Sequence, residues 1–425
     1  MSLPLFDDPA ADATSVDPGR NTTTFLDNMK LPVHRWFRYS AGFSGDWAES
    51  VIESTGARRV LDPFAGSGTT VVAAERQGVS SIGVDVHPFV ARVAQAKLHW
   101  RADPNTLLRR MKEVVHEVSR DLPISMPTAP LLAKCFPDPT VLRTLLQIKN
   151  AIEATRRNDE YDELLWLALV SIIRVCSPVG TAQWQYVLPN KTKARVAEPH
   201  GAFAARVELF AEDMVQMQRF AGYETGLILE TDARKLNGVP DGWADLILTS
   251  PPYANNFDYA DATRLEQTFL GEIEGWADLK PLRRSLLKSA TQHMPGWDPA
   301  EAFDSPLLAP IRGELLDVYA KLNSIRTEKV GNKAYHLMVL GYFFDSAQIW
   351  QSLRRASSPG VQVCYVVGDS APYGIHVPVE RWLAELALSA GFNTWSFDKV
   401  RDRNTKWKNR KHTHPLHEGR LWIEG

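Results

Sequence analysis

The sequence predicts an open, mostly parallel α/β sheet that carries an inserted helical subdomain. Three observations lead there: apolar, β-branched runs that each stop at a polar or glycine-rich turn, a glycine turn joining the first run to a helix, and a long helix-patterned segment separating the second run from the third. Strands buried on both faces read as continuous apolar runs, whereas half-exposed strands alternate.

The runs are 58–62, 81–85, 244–249 and 361–367. Between the first two, residues 69–78 have helix length, with Val71, Val72 and Ala73 available to face a sheet and a glycine at the end. Strand, glycine loop, helix and strand make a βαβ unit. From 101 to 222 the apolar spacing is helical around 107–118, 141–154 and 161–175. So long a segment is no loop of a compact sheet, and residues 101–222 are expected to form the inserted helical subdomain. Residues 25–100 and 223–425 are then the sheet domain. Residues 1–24, rich in Asp, Pro and Thr, read as a flexible leader. Later helices are expected at 311–325, 336–356 and 381–390, and strands at 393–397 and 421–424.

Composition narrows the class. The chain has 425 residues, 44% hydrophobic and 23% charged, which is the balance of a globular protein with a core. Its formal net charge of -2 supplies no bulk positive field, so any nucleic-acid surface must be a local patch. The three cysteines stand far apart without a Cys-x-x-Cys pair, against a disulfide framework and against a metal site of the usual spacing, and a reducing cytoplasm fits. No apolar run is long enough for a signal core or a bilayer span.

Asp62-Pro63-Phe64-Ala65-Gly66-Ser67-Gly68-Thr69-Thr70 lies where a strand ends and a helix begins. Glycines let the backbone turn tightly beside a ligand, and a helix N-terminus offers free N–H groups to an anion such as a carboxylate. No lysine follows the glycines, which disfavours a nucleotide triphosphatase. Asp85 closes the second strand, where an acidic side chain can accept from ribose hydroxyls. The pair describes a ribose-bearing ligand.

With a later Thr249-Ser250-Pro251-Pro252-Tyr253, the chain resembles the amino-methylating (N4-cytosine/N6-adenine) DNA methyltransferases of Ser-Pro-Pro-Tyr type, over about half its length. The resemblance implies a Rossmann-like S-adenosylmethionine-dependent methyltransferase fold. It assigns cofactor binding to Asp62, Phe64, Ala65, Gly66 and Gly68, the ribose to Asp85, and the neighbourhood of the adenine ring to Asp232. The stretch 34–47 resembles the motif that closes over the methionine end of the cofactor. Double-stranded DNA is the implied substrate, a cognate restriction nuclease or other defence-system component the further partner, and the cytoplasm, beside the nucleoid, the location.

Ser250, Pro251, Pro252 and Tyr253 are the expected catalytic residues. They follow an apolar run, so they sit at the carboxyl end of a parallel strand, where open α/β sheets bind ligands. Consecutive prolines remove N–H donors and leave carbonyl acceptors. If Ser250 Oγ and the Pro251 carbonyl both accept from a base amine, its lone pair is aimed at the methyl donor and transfer is direct and in line, without metal. Tyr253 offers a flat face to a base extruded from the duplex, with Phe257 and Tyr259 as candidate side walls. The chain has no Pro-Cys dipeptide, which removes the covalent route to cytosine C5. In the family this serine signature goes mainly with cytosine N4 and its aspartate counterpart with adenine N6, so N4 is the expected target. The alternatives are an N6-adenine DNA or RNA methyltransferase and a catalytically silent nucleic-acid-binding defence component.

Two basic clusters are candidate DNA contacts. Arg156, Arg157, Lys191, Lys193 and Arg195 lie in the insertion, the expected recognition region, with Trp184, Gln185 and Tyr186 between them. Arg401, Arg403, Lys406, Lys408, Arg410 and Lys411, around Trp407, are expected to grip phosphates, which gives affinity without sequence information.

Overall fold

The computed structural model describes residues 25–39, 42–120, 124–181, 187–219, 224–328, 333–403 and 414–425. They form nine strands. The first five are β1 (Arg59–Asp62), β2 (Ser80–Asp85), β3 (Val179–Thr181), β4 (Val187–Thr192) and β5 (Gly226–Glu230). The others are β6 (Ala244–Thr249), β7 (Ser357–Gly368), β8 (Thr394–Arg403) and β9 (Leu416–Glu424).

Seven strands build one sheet in the order β5-β2-β1-β6-β7-β9-β8. Pairing is parallel from β5 to β7 and antiparallel for β7 with β9 and β9 with β8. This is the Rossmann-like methyltransferase architecture. The central strands are those with unbroken apolar runs: in β6 Leu246, Ile247 and Leu248 are fully buried. Helix Tyr335–Ala356 supplies the main cover, burying Phe343, Trp350 and Leu353, and helix Val379–Ser389 adds Trp382 and Leu383.

The chain divides into two compact units, one holding the sheet (48–98 and 219–425) and the other holding residues up to 47 together with 99–218. In the second unit helices Pro104–Val118, Pro139–Ala154 and Glu160–Cys176 fall where the apolar spacing puts them. Each starts on an aspartate, Asp103, Asp138 or Asp159, whose side chain accepts from the first free amides. One feature departs from the expected helical insertion: β3 and β4 form an antiparallel hairpin. Helix Pro199–Gln218 adds to the helices the spacing marked.

The boundary at residue 25 also differs, because 25–47 join the helical unit and not the sheet. The cause is Asp213 of helix Pro199–Gln218, fully buried, which accepts from Val33 N (3.0 Å), Trp36 Nε1 (2.9 Å) and the Arg35 guanidinium (2.5 and 3.1 Å). Trp36 stacks on Phe210 of the same helix at 4.3 Å. A buried carboxylate with that many donors is stable only as a set.

Candidate active site

The glycine turn follows β1 and is pinned at both ends. Ala65 N donates to Val84 O (2.8 Å) and Gly68 N to Ala65 O (2.8 Å). Gly68 stands at φ +86°, and a β-carbon there would come within 3.2 Å of Ala94 Cβ, so the position demands glycine. Helix Thr69–Arg76 then begins without a side-chain cap, leaving its first amides to a ligand. At the tip of β2 the Asp85 carboxylate accepts from Gly66 N and His87 N, each at 2.9 Å, which fixes it beside the turn. Burial, added to by Asp62 and Glu230, pushes its acid up to about 7 despite those two bonds. An uncapped helix start and a carboxylate one strand away fit the methionine carboxylate and the ribose diol of S-adenosyl-L-methionine.

Asp62 plays a different part. It is buried, and it accepts from Phe64 N (3.0 Å), Thr70 Oγ1 (2.6 Å) and Thr249 Oγ1 (2.5 Å). Thr70 Oγ1 also lies 3.2 Å from Leu248 O. Asp62 therefore ties the glycine turn to the last residue of β6, the strand hydrogen-bonded to β1. Burial lifts its acid to about 6, with the Thr249, Thr70 and Phe64 bonds pulling the other way. Phe64 and Pro251 line one small cavity, with Tyr342, Trp350, Tyr365 and Leu383 behind them. The cofactor turn and the double-proline turn thus open on the same rim of the sheet.

Ser250 leaves β6 with its hydroxyl donating to Val366 O of β7 (3.2 Å), and the Tyr253 hydroxyl bonds to Ser250 in turn. Burial and the nearby Glu418 push the Tyr253 phenol well above its ordinary range, so it is neutral. The turn is braced from behind: Ser370 Oγ donates to Ala254 O (2.6 Å), Asn256 N to Ser289 O (3.0 Å), and Thr291 N and Oγ1 both donate to Asn256 Oδ1. Asp258 caps helix Tyr259–Ala262 and receives Arg283 at 2.6 and 2.9 Å. Phe257 packs edge-on against Tyr259, ring centroids 4.5 Å apart.

The remaining candidates divide. Asp232 follows β5, next to β2 in the sheet, and its carboxylate accepts from three Arg234 groups, the backbone N, Nε and Nη2, which leaves it little acceptor capacity for an adenine amine. Arg156 pairs with Glu153 (3.3 Å) and Arg157 with Glu113 (2.6 Å), exposed pairs that leave both cations at the surface. Lys193 donates to Arg174 O (2.5 Å), and burial, then Arg174, holds its ammonium below the ordinary lysine range. Lys191 and Arg195 are exposed, on β4 and just beyond it. Arg401 pairs with Glu418 at 2.9 Å, and Arg403 lies over Tyr253. Lys406, Trp407, Lys408, Arg410 and Lys411, like Trp184, Gln185 and Tyr186, fall outside the described residues.

Sequence reasoning missed Thr70 and Thr249, though a hydroxyl closing an apolar strand and another opening an apolar helix face are a legible signal for a shared buried acceptor. It also missed the brace from Asn256 and Ser370, for which no local pattern exists.

A family model described as DNA methylase, of the N6/N4 class, matches residues 38–96. Over its length the chain is similar to the Type II methyltransferase M.BsoBI of Geobacillus stearothermophilus, 25% identical over 415 residues, with 88% of this chain and 81% of that protein covered. Similarity to the Type II methyltransferase M.AvaI of Nostoc sp. is 26% over 423 residues, covering 88% and 82%. The Type II methyltransferase M.MvaI of Kocuria varians is 23% identical over 390 residues, covering 84% and 82%. With the glycine turn, Asp85 and the Ser-Pro-Pro-Tyr turn on one sheet rim, the family model and these similarities support an amino-methylating DNA methyltransferase, a class that takes its methyl group from S-adenosyl-L-methionine.

Proposed function

We propose that this DNA methyltransferase modifies the exocyclic N4 of cytosine at specific sites in double-stranded DNA, as the protective half of a Type II restriction–modification pair. The cofactor supplies a methyl group activated by a sulfonium. The observation that carries the reading is the Asp62–Thr249 bond, which couples the cofactor turn to the strand presenting Ser250 and Pro251. A base amine entering there donates one N–H to Ser250 Oγ, whose own proton is already committed to Val366 O, and the other to the Pro251 carbonyl. Those two acceptors localise the nitrogen lone pair and aim it, and the Tyr253 ring holds the base plane. The excess proton leaves the nitrogen for solvent.

The test is nucleoside mass analysis of amplified, hence unmethylated, genomic DNA and of RNA after incubation with the protein and isotopically labelled S-adenosylmethionine. Labelled N4-methylcytosine in DNA is the expected product. N6-methyladenine would overturn the choice of base, label in RNA alone the choice of polymer, and no label the assignment of activity. Ser250→Ala and Tyr253→Ala should each lose transfer while keeping cofactor affinity.

A further inference from the structure

Tyr253 has a cation standing over its ring. The Arg403 guanidinium carbon lies 5.3 Å from the ring centroid. One of its nitrogens, Nη1, donates to Asp369 O at 3.0 Å. Asp369 follows β7, the neighbour of β6, so the anchor belongs to the same rim as Ser250. Room for the side chain is built in at Gly368: a β-carbon there would sit 2.5 Å from Arg403 Nη1 and 3.1 Å from His417 O. The other described cations of β8 are engaged differently, Lys399 with Asp402 at 2.6 Å and Arg401 with Glu418 at 2.9 Å. Arg403 is half-buried and turned inward instead of presented to solvent as a phosphate grip would be.

The separation matters. A guanidinium in van der Waals contact with a ring stands about 3.5–4 Å away, and a planar base inserted between the two needs about 7 Å. At 5.3 Å from ring centroid to guanidinium carbon the pair is in cation–π range and about 2 Å short of admitting a base. Arginine planes stack on nucleobases as aromatic rings do. Among the described residues Arg403 spends one N–H on Asp369 O, and its remaining donors can meet acceptors on the base edge.

We propose that Arg403 is the second wall of the base pocket: the extruded base enters between the Tyr253 ring and the Arg403 guanidinium, which opens by a small swing about its Asp369 anchor. This rests on the reading that Tyr253 stacks the target base. Arg403 positions the base and takes no proton.

The experiment uses the full chain and duplexes bearing the methylation site found by sequencing modified DNA. Single-turnover transfer at saturating DNA, DNA Kd at 50 and 200 mM salt, cofactor Kd and thermal melting are measured for wild type, Arg403→Ala and Arg403→Lys. Arg403→Ala should lower the saturating rate roughly 5- to 100-fold, the size of one base stack. Its DNA affinity, salt slope, cofactor Kd and melting should stay near wild type. Arg403→Lys, which keeps the charge and lacks the plane, should recover little. An unchanged saturating rate with weaker DNA binding and a salt slope reduced by about 1 would make Arg403 a phosphate contact and overturn the proposal. Full recovery by lysine, or a faster alanine variant, would overturn it as well. Near-normal transfer by Tyr253→Ala sinks the stacking reading itself, and this inference with it, whereas a normal Arg403→Ala rate beside an inactive Tyr253→Ala sinks this inference alone.

Discussion

Cofactor affinity should fall as pH drops from 8 to 6, and Asp85 sets the size of the fall. Its acid lies near 7 in the free protein because burial penalises the carboxylate more than Gly66 N and His87 N stabilise it. A ribose diol donates two hydroxyls; a carboxylate accepts both, whereas a carboxylic acid carries a proton into the same space. At pH 8 about nine-tenths of the side chain is ionised and at pH 6 about one-tenth, so binding through the ionised form weakens about tenfold, or about 1.4 kcal/mol. His87 adds nothing to this window, since burial holds its imidazole near 4 and it stays neutral. The assay is titration of S-adenosylhomocysteine, the demethylated cofactor, into wild type and Asp85→Asn at half-unit pH steps. The ratio of the two Kd values at each pH removes the ligand's own ionisations. The Asp85→Asn variant should bind more weakly at pH 8 by about 10- to 100-fold, the worth of a charge-assisted hydrogen bond, with the gap closing towards pH 6. A ratio that does not change between pH 6 and 8 would refute the reasoning. A step centred near 6 that survives in the variant would transfer the effect to Asp62, whose acid lies there.

Four further outcomes follow from the same contacts. Folded Asp62 and Asp85 bind protons more tightly than their ordinary value of 3.8, so the stability they contribute is complete below about pH 4 and lost as pH rises through 6 and 7. The Tm of Asp85→Asn relative to wild type should therefore climb between pH 5.5 and 8.5, and a pH-independent difference would contradict it. Thr249→Val deletes the hydroxyl on Asp62 Oδ1 at a fully buried position, with an expected loss of about 1–3 kcal/mol in denaturant unfolding and a further rise of the Asp62 acid; unchanged stability would show that Thr70 and Phe64 suffice. Gly68→Ala forces a side chain into φ +86° against Ala94 and should cost about 1–2 kcal/mol, together with cofactor affinity, read by thermal shift with and without S-adenosylhomocysteine. Asp213→Ala strips the buried acceptor of Val33, Arg35 and Trp36, about 3–5 kcal/mol, and limited proteolysis should cut the chain before residue 47 sooner than in wild type.

The four inner parallel strands, β1, β2, β6 and β7, were legible because burial leaves a largely apolar run in each; β6 begins and ends where the sequence puts it. β5 escaped for the opposite reason. It is an edge strand, Gly226–Glu230, with partly exposed residues along its length, so burial left little pattern in it. The β3–β4 hairpin was hidden by Pro189, Asn190 and Lys191, which read as loop or basic surface. At the site, the glycine turn, Asp85 and the Ser-Pro-Pro-Tyr turn were readable because backbone geometry restricts their residue types. Arg403 was read as one cation among six, and only its anchor on Asp369 O across the sheet separates it from the others. The affiliation of residues 25–47 depends on one buried aspartate far along the chain, which no local window contains.

The interleaving of the sheet sets a timetable for synthesis. β1 and β2 emerge first, yet their sheet neighbours β6 and β5 come only after the whole second unit has been made. From Asp85 to Gly226, the start of β5, the ribosome adds about 140 residues, roughly 7–30 s at about 5–20 residues per second. Until then the nascent βαβ element has no lateral partner, whereas the other unit has its full complement of chain once Gln218 is made. The helical unit can fold during translation; the catalytic sheet must wait, and in that waiting period a chaperone would find its client.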